Sequence, residues 1–338
     1  MADSKYLVNG TESILRQPPE WAPHEFVWIG FPSHPELWED DLEPAREEVA
    51  AFARAVHADG KGEEVRLVAA NAEAAEAARR LAPFATLVEE RFGDIWLRDT
   101  GPIILGSGGG QRAAWFGFNG WGGKYRLEGD DDLAFRLAQS LGQHPERHDW
   151  ILEGGAIDVD GTGLAVTTEQ CLLNPNRNPD LERAAIEARL REQLGIERVL
   201  WLGEGLVNDH TDGHVDNVAR FIGEGRLAVP VPESSADPNQ QAYTDARFRA
   251  ERAGGITVEP VPSPGRVERD GEIVAASYMN FYVGNAAVVV PTYGAANDEA
   301  AVELIGAFFP DRKAVGLSAT HVLTGGGSFH CISQQVPR

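Results

Sequence analysis

The chain has 338 residues, 43% of them hydrophobic and 24% charged, enough to bury a substantial core. Its 52 acidic residues against 30 basic ones give a net charge of -22, a field that repels phosphate backbones and anionic lipid and favours cations; neither nucleic acid nor a membrane is an expected partner. No basic-then-apolar leader pattern opens the chain, no apolar run reaches the roughly 18 residues of a membrane span, and two cysteines without paired spacing give no disulfide framework or metal knuckle, so a soluble cytoplasmic protein is expected.

In chain order, residues 26–31 form a short apolar run suited to a buried strand, closed by Pro32. The helical spacing of Val49, Phe52, Ala53 and Val56, with Pro44 early and Gly60 just beyond, predicts a helix over 43–58. A strand at 65–69, an Ala-rich helix at 72–81 and a strand at 86–89 follow. Beyond this point the chain repeats. Hairpins are predicted at 102–118, 156–168, 218–231 and 280–293, each folded about a Gly-containing turn, and the turn glycines recur roughly every 55 to 62 residues. After each hairpin comes a helix (131–141, 180–194, 239–253, 297–309) and then a strand near 150, 199–202, 256–261 and 314–317. With the N-terminal elements this makes about five units of hairpin, helix and strand, and pairing of the last unit with 26–31 would close them. The expected fold is therefore α/β, a five-bladed α/β propeller in one domain spanning 1–338, with a doubly wound open sheet as the alternative.

The unusual polar residues fall where one unit leads into the next: Gly93-Asp94-Ile95-Trp96-Leu97-Arg98-Asp99, Glu153-Gly154-Gly155, the run Asp209-His210-Thr211-Asp212-Gly213-His214-Val215-Asp216, and the glycine-rich Gly325-Gly326-Gly327-Ser328-Phe329-His330-Cys331. Taken singly, each reads as an ordinary turn or surface pair, and a lone Cys is usually a small core residue. If the junctions meet at one mouth, carboxylates, a histidine and a thiol converge there. Such carboxylates need a cation between them, and a planar guanidinium satisfies two carboxylates while leaving its central carbon open to sulfur. In this reading Cys331 is the nucleophile, Asp99 and Asp216 hold the guanidinium, and His214 protonates departing ammonia and then activates water. Glu153 orients His214 or grips a further nitrogen, and Trp96 covers the cation's face. His330 is read as structural and Cys171 as core. A metal hydrolase using His210, His214 and Asp216 is the second reading, weakened because their spacing lies in a loop pattern, and a polyamine-binding protein is the third.

These segments resemble the agmatine deiminase family of guanidine-modifying enzymes. The resemblance rests on Pro19-Glu20-Trp21-Ala22-Pro23-His24-Glu25, Trp96-Leu97-Arg98-Asp99-Thr100-Gly101-Pro102, Phe118-Asn119-Gly120-Trp121-Gly122-Gly123-Lys124-Tyr125, Glu153-Gly154-Gly155, Asn174-Pro175-Asn176-Arg177-Asn178-Pro179, Gly213-His214-Val215-Asp216-Asn217 and Gly326-Gly327-Ser328-Phe329-His330-Cys331. It implies a pentein-like propeller, cofactor- and metal-free hydrolysis of agmatine to N-carbamoylputrescine and ammonia, and the same roles for Cys331, His214, Asp99, Asp216 and Glu153. Further substrate contacts are expected from Trp121, Asp212 and Gly325. A small cationic guanidine is the expected partner, and the sequence is compatible with a homo-oligomer. Residues 208–212 depart from the more acidic run associated with the family, which bears on how the far end of the substrate is held.

Overall fold

The computed structural model describes residues 7–8, 11–12 and 15–338, and the chain is a mixed α/β protein. Its first sheet is built on strand β1 (His24–Gly30), followed by helix α1 (Leu42–His57), strand β2 (Glu64–Ala69), helix α2 (Ala72–Leu81) and strand β3 (Thr86–Glu89), with β1, β2 and β3 parallel. From Phe26 onward β1 is apolar because both of its faces are covered, and Phe26, Val27, Trp28 and Ile29 are all buried. On α1 the predicted stripe of Val49, Phe52, Ala53 and Val56 is buried. Helix α2 starts where the Asn71 side chain accepts the Ala74 N–H at 2.9 Å.

Four units of one design follow. An antiparallel hairpin leads to a helix, which returns the chain to a strand parallel to the second hairpin strand. They are β4 (Ile103–Leu105), β5 (Arg112–Gly117), α3 (Leu133–Ser140) and β6 (Arg147–Ile151); then β7 (Ile157–Val159), β8 (Leu164–Thr168), α4 (Arg183–Leu194) and β9 (Arg198–Leu202). The third is β10 (Arg220–Gly223), β11 (Arg226–Val231), α5 (Gln240–Arg252) and β12 (Thr257–Pro262); the fourth is β13 (Tyr282–Val283), β14 (Ala287–Thr292), α6 (Asp298–Phe308) and β15 (Lys313–Ser318). These are separate three-stranded sheets, so the open doubly wound sheet does not form.

The C-terminal strand β16 (Ser333–Pro337) pairs antiparallel with β1, Ser333 opposite Ile29 and Gln334 opposite Trp28. The two ends of the chain thus complete the first sheet together. The sequence predicted that the last unit would meet 26–31 but assigned no strand to 333–337, because Ser333-Gln334-Gln335 lacks the apolar run of a buried strand; all five residues are nonetheless buried. Among the described residues no helix is long and apolar enough to cross a membrane.

Candidate active site

Each of the four hairpins, and β16, is preceded by a short turn that delivers a polar side chain inward. Asp99 lies in the helical turn Leu97–Thr100 before β4, Glu153 precedes the turn Gly154–Ala156 before β7, and His214 and Asp216 belong to the turn before β10. Cys331 lies two residues before the start of β16. The remaining turn, Tyr278–Asn280 before β13, supplies Asn280, which the sequence analysis did not select. The repeat itself was the signal that could have found it, since Asn280 occupies the one junction left unexamined.

These residues are brought together. The Cys331 thiol accepts a hydrogen bond from Asn280 Nδ2 at 3.0 Å and donates to Asp216 Oδ2 at 3.4 Å. Asn280 Oδ1 in turn accepts the backbone N–H groups of His330 and Cys331, fixing the thiol's backbone. Asp99 accepts the Gly155 N–H on Oδ1 and the Trp121 indole N–H on Oδ2, both at 2.9 Å, and its Oδ1 lies 3.7 Å from His214 Nδ1. Gly155 has to be glycine: a Cβ there would stand 2.7 Å from His214 Nδ1, 2.9 Å from Asp99 Oδ1 and 3.0 Å from Asp216 Oδ2. Buried polar atoms are normally paired, yet Asp216 Oδ1, both His214 ring nitrogens and Glu153 Oε2 have no hydrogen-bond partner in the protein. Such a concentration around the space over Gly155, where His214, Asp99 and Asp216 converge, marks a site shaped for a polar ligand.

The electrostatics agree. Burial, helped by the negative charges of Asp216 and Asp99, pushes the Cys331 thiol well up, so the free site holds a thiol and not a thiolate. Burial, with the like charges of Asp216 and Glu153, also raises Asp99 against the opposing pull of His214 and the Trp121 hydrogen bond. Burial works against charge on His214, but Asp99, Cys171 and Glu153 outweigh it and hold the imidazole well above its usual range. Asp216 is pushed up by burial and brought below the usual carboxylate range by His330, His214 and Arg220. A bound cation would relieve both the raised thiol and the raised carboxyl of Asp99.

Above these groups opens a cavity of about 200 Å³ lined by Trp96, Trp121, Tyr125, His210, Gly325 to Gly327, Asp94, Asp99 and Cys331 among others. Trp96 stacks on Trp38 with centroids 6.3 Å apart, and both indoles donate to Asp94, at 2.8 and 3.0 Å. A Cβ at Gly325 or Gly327 would come within 2.4 or 2.6 Å of the Trp96 ring, which is why the wall opposite it is glycine. Trp121 takes a positive φ of 51°, rare for a bulky residue, and its indole thereby reaches Asp99. A larger cleft of about 960 Å³, lined by Glu169, Glu204, Gln240 and Phe248, contains none of the grouped residues.

Several expectations are corrected. Asp212, expected on the substrate, is held by Lys124, Asn176 and Arg177 and is absent from the cavity wall. Its charge is neutralised there, so it braces the loop that carries His214. Glu153 does not line the cavity: it is fully buried and its Oε1 accepts from Arg177 Nε at 2.6 Å, while Oε2 has no partner and the carboxylate lies within 4.8 Å of a His214 ring nitrogen. His210, His214 and Asp216 do not assemble as metal ligands, since His210 lines the outer cavity, 3.3 Å from the Tyr125 hydroxyl. Among the described residues the group with ligand atoms within 4.8 Å of one another is instead Glu153, Cys171 and His214, and Arg177 already occupies that carboxylate. Cys171 is buried as expected but also lies against His214, a proximity invisible in Glu169-Gln170-Cys171-Leu172.

With this geometry in hand, comparison with known proteins decides the family, for the model of the Porphyromonas-type peptidyl-arginine deiminases matches residues 16–337. The chain belongs to that family. Among related peptidyl-arginine deiminase-type proteins, the agmatine deiminase of Stutzerimonas stutzeri is 38% identical, with 95% of each chain covered. The solved structure of the Enterococcus faecalis agmatine deiminase catalysing its reaction is 35% identical and superimposes with a TM-score of 0.90 over 96% of each chain. A C. jejuni agmatine deiminase with substrate bound is 28% identical, with a TM-score of 0.89 over 96% of this chain and 97% of that one.

Proposed function

We propose that this protein hydrolyses agmatine to N-carbamoylputrescine and ammonia. The observation that carries the reading is the set of unpartnered buried atoms, Asp216 Oδ1, His214 Nδ1 and Nε2, of residues that converge with Asp99 over Gly155, with the Cys331 thiol bonded to Asp216 and facing an aromatic-walled cavity. A guanidinium between Asp99 and Asp216 has N–H groups for both carboxylates, and its positive charge favours the thiolate that burial and those same carboxylates disfavour in the free site. Once the bound cation has driven the thiol proton off to solvent, the Cys331 thiolate attacks the guanidinium carbon, forming a C–S bond and a tetrahedral adduct. His214, held protonated, gives its proton to the departing nitrogen, which leaves as ammonia, and a thiouronium remains on Cys331. The now neutral His214 takes a proton from water, hydroxide adds to the same carbon, and breaking of the C–S bond, with the adduct's hydroxyl proton passing to the departing sulfur, releases the urea product and restores the thiol. Glu153, braced by Arg177, acts behind His214 as its orienting carboxylate. Trp96 faces the cation, and Trp121 sets the orientation of Asp99.

The tail of the substrate follows from the wall. Among the described lining residues the carboxylates are Asp94 and Asp99 and none is lysine or arginine, which suits a cationic amine and disfavours the α-carboxylate of free arginine. Five small sheets, each contributing one junction to the site, support reading the whole chain as a single five-bladed α/β propeller closed by β16 on β1. Ammonia release from a panel of agmatine, free arginine, a peptidyl arginine and longer guanidino-amines tests the reading: agmatine should be turned over best, and release of no ammonia from any guanidine would refute it.

A further inference from the structure

His330 sits next to the nucleophile but points away from the acid/base work. Its Nδ1 meets Asp216 Oδ2 at 2.7 Å and its Nε2 meets Glu20 Oε2 at 2.9 Å. A carboxylate offers lone pairs and no hydrogen, so both ring nitrogens donate and the ring stands as a cation between two anions. Glu20 belongs to the Pro19-Glu20-Trp21 motif near the N-terminus, to which the reaction gave no task. It is buried and also receives Arg98 Nη2 at 3.3 Å and Arg220 Nη2 at 3.0 Å, while its other oxygen accepts the Val283 N–H at 2.7 Å. Arg220 continues to Asp158 at 3.1 Å. The buried ions thus balance three against three: Arg98, Arg220 and His330 with Glu20, Asp158 and Asp216.

Resting on the deiminase reading above, we infer that His330, anchored by Glu20, is a positioning residue that keeps Asp216 ionised and turned so that its Oδ1 is free for the guanidinium. The geometry divides the carboxylate's labour. Oδ2 is committed to His330 and the Cys331 thiol, whereas Oδ1 is buried without a partner. Without a fixed donor on Oδ2, burial beside Asp99 and Cys331 would favour a proton on Asp216, and a protonated Asp216 both weakens guanidinium binding and fails to polarise it. The charged and titratable groups facing Asp216 are His330, Cys331, His214, Asp99 and, farther out, Arg98 and Arg220; those facing the outer side of His330 are Glu20, Arg98, Arg220 and Asp158.

The test measures the agmatine dissociation constant calorimetrically from pH 5 to pH 8 in a Cys331→Ala background, where the thiol no longer titrates. His330→Ala should weaken binding about tenfold or more at pH 6, the loss of one charge-assisted hydrogen bond, with the gap narrowing toward pH 8. His330→Asn, whose amide N–H falls near the position of Nδ1, should recover most of the affinity, and Glu20→Gln should shift the profile in the same direction as the alanine variant but less. A merely structural residue would lower the melting temperature without a gap that grows toward acid. Folded His330→Ala and Glu20→Gln proteins whose profiles overlay their parent would overturn the inference, and if His330→Ala does not fold, an overlay in Glu20→Gln alone overturns it. Failure of the parent to bind agmatine, with no ammonia released by the wild type, would instead remove the deiminase reading and this inference with it.

Discussion

The Cys331 thiol donates to Asp216 Oδ2 across 3.4 Å, so the proposed nucleophile faces a carboxylate in the free protein. Burial first, then Asp216 and Asp99, hold that thiol up. Nucleophilicity is therefore withheld until a cation arrives. Iodoacetamide should alkylate Cys331 slowly at pH 7 and faster as pH rises, because the thiolate is the reacting form. Removing one facing charge lowers the thiol pKa, so Asp216→Asn should speed alkylation at pH 7.5 by roughly three- to tenfold while lowering agmatine turnover. Alkylation as fast as that of a free thiol in the wild type would contradict this.

Gly155→Ala should abolish most activity with little loss of fold. The new methyl would intrude within 3.0 Å of Asp99, His214 and Asp216 together, and a misplacement near 1 Å in such a set costs about a hundredfold. Comparing kcat/KM for agmatine with the thermal midpoint separates the two effects. A variant with half the wild-type rate would show that the three groups need not converge at that point.

His214 is held protonated despite burial, chiefly by Asp99, Cys171 and Glu153, and acts twice in the proposed cycle. His214→Gln should stall after attack or before hydrolysis, depressing turnover by about 10³ or more. The basic limb of the wild-type pH profile should lie on the alkaline side, since loss of the imidazolium proton comes late. A limb near pH 6 would indicate that the free imidazole is the active form.

Asp130 offers a stability test outside the chemistry. Burial, with Asp94 and Asp131 nearby, pushes its carboxyl up to about 7, although Oδ1 accepts the Gly93 N–H at 2.7 Å. An acid whose folded pKa exceeds its unfolded value near 3.9 binds its proton more tightly in the fold. Its charging therefore costs stability progressively from about pH 4 to pH 7 and by a constant amount above. Asp130→Asn should match the wild type near pH 4 and be more stable by about 1–3 kcal/mol at pH 8 in urea unfolding. An equal difference at both pH values would rule out this cause.

Much of this was legible because the chain repeats. Turn glycines, helix periodicity and short apolar runs located the helices α1–α6 and the strands β1–β15 to within a few residues, and the shared junction position picked out Asp99, His214, Asp216 and Cys331 as candidates. What escaped was long-range pairing. The polar strand Ser333–Pro337 is a strand because β1 offers it an edge, and nothing local announces that. Asp212 looked like an acidic substrate contact because Arg177, Asn176 and Lys124 come from distant turns to neutralise it. His330 reads as structural from the sequence because His214 takes the acid/base role, and the carboxylate on its far side, Glu20, lies 310 positions earlier in the chain. Buried charge networks are assembled by the fold, and sequence spacing carries no trace of them.

The most direct measurement is peptide mass mapping of protein quenched during agmatine turnover, in the wild type and in His214→Gln. The account predicts an adduct with the mass of agmatine less ammonia on the peptide containing Cys331, accumulating in His214→Gln and absent from Cys331→Ala, whose turnover falls by on the order of 10⁴ or more. Near wild-type ammonia release from folded Cys331→Ala would contradict it.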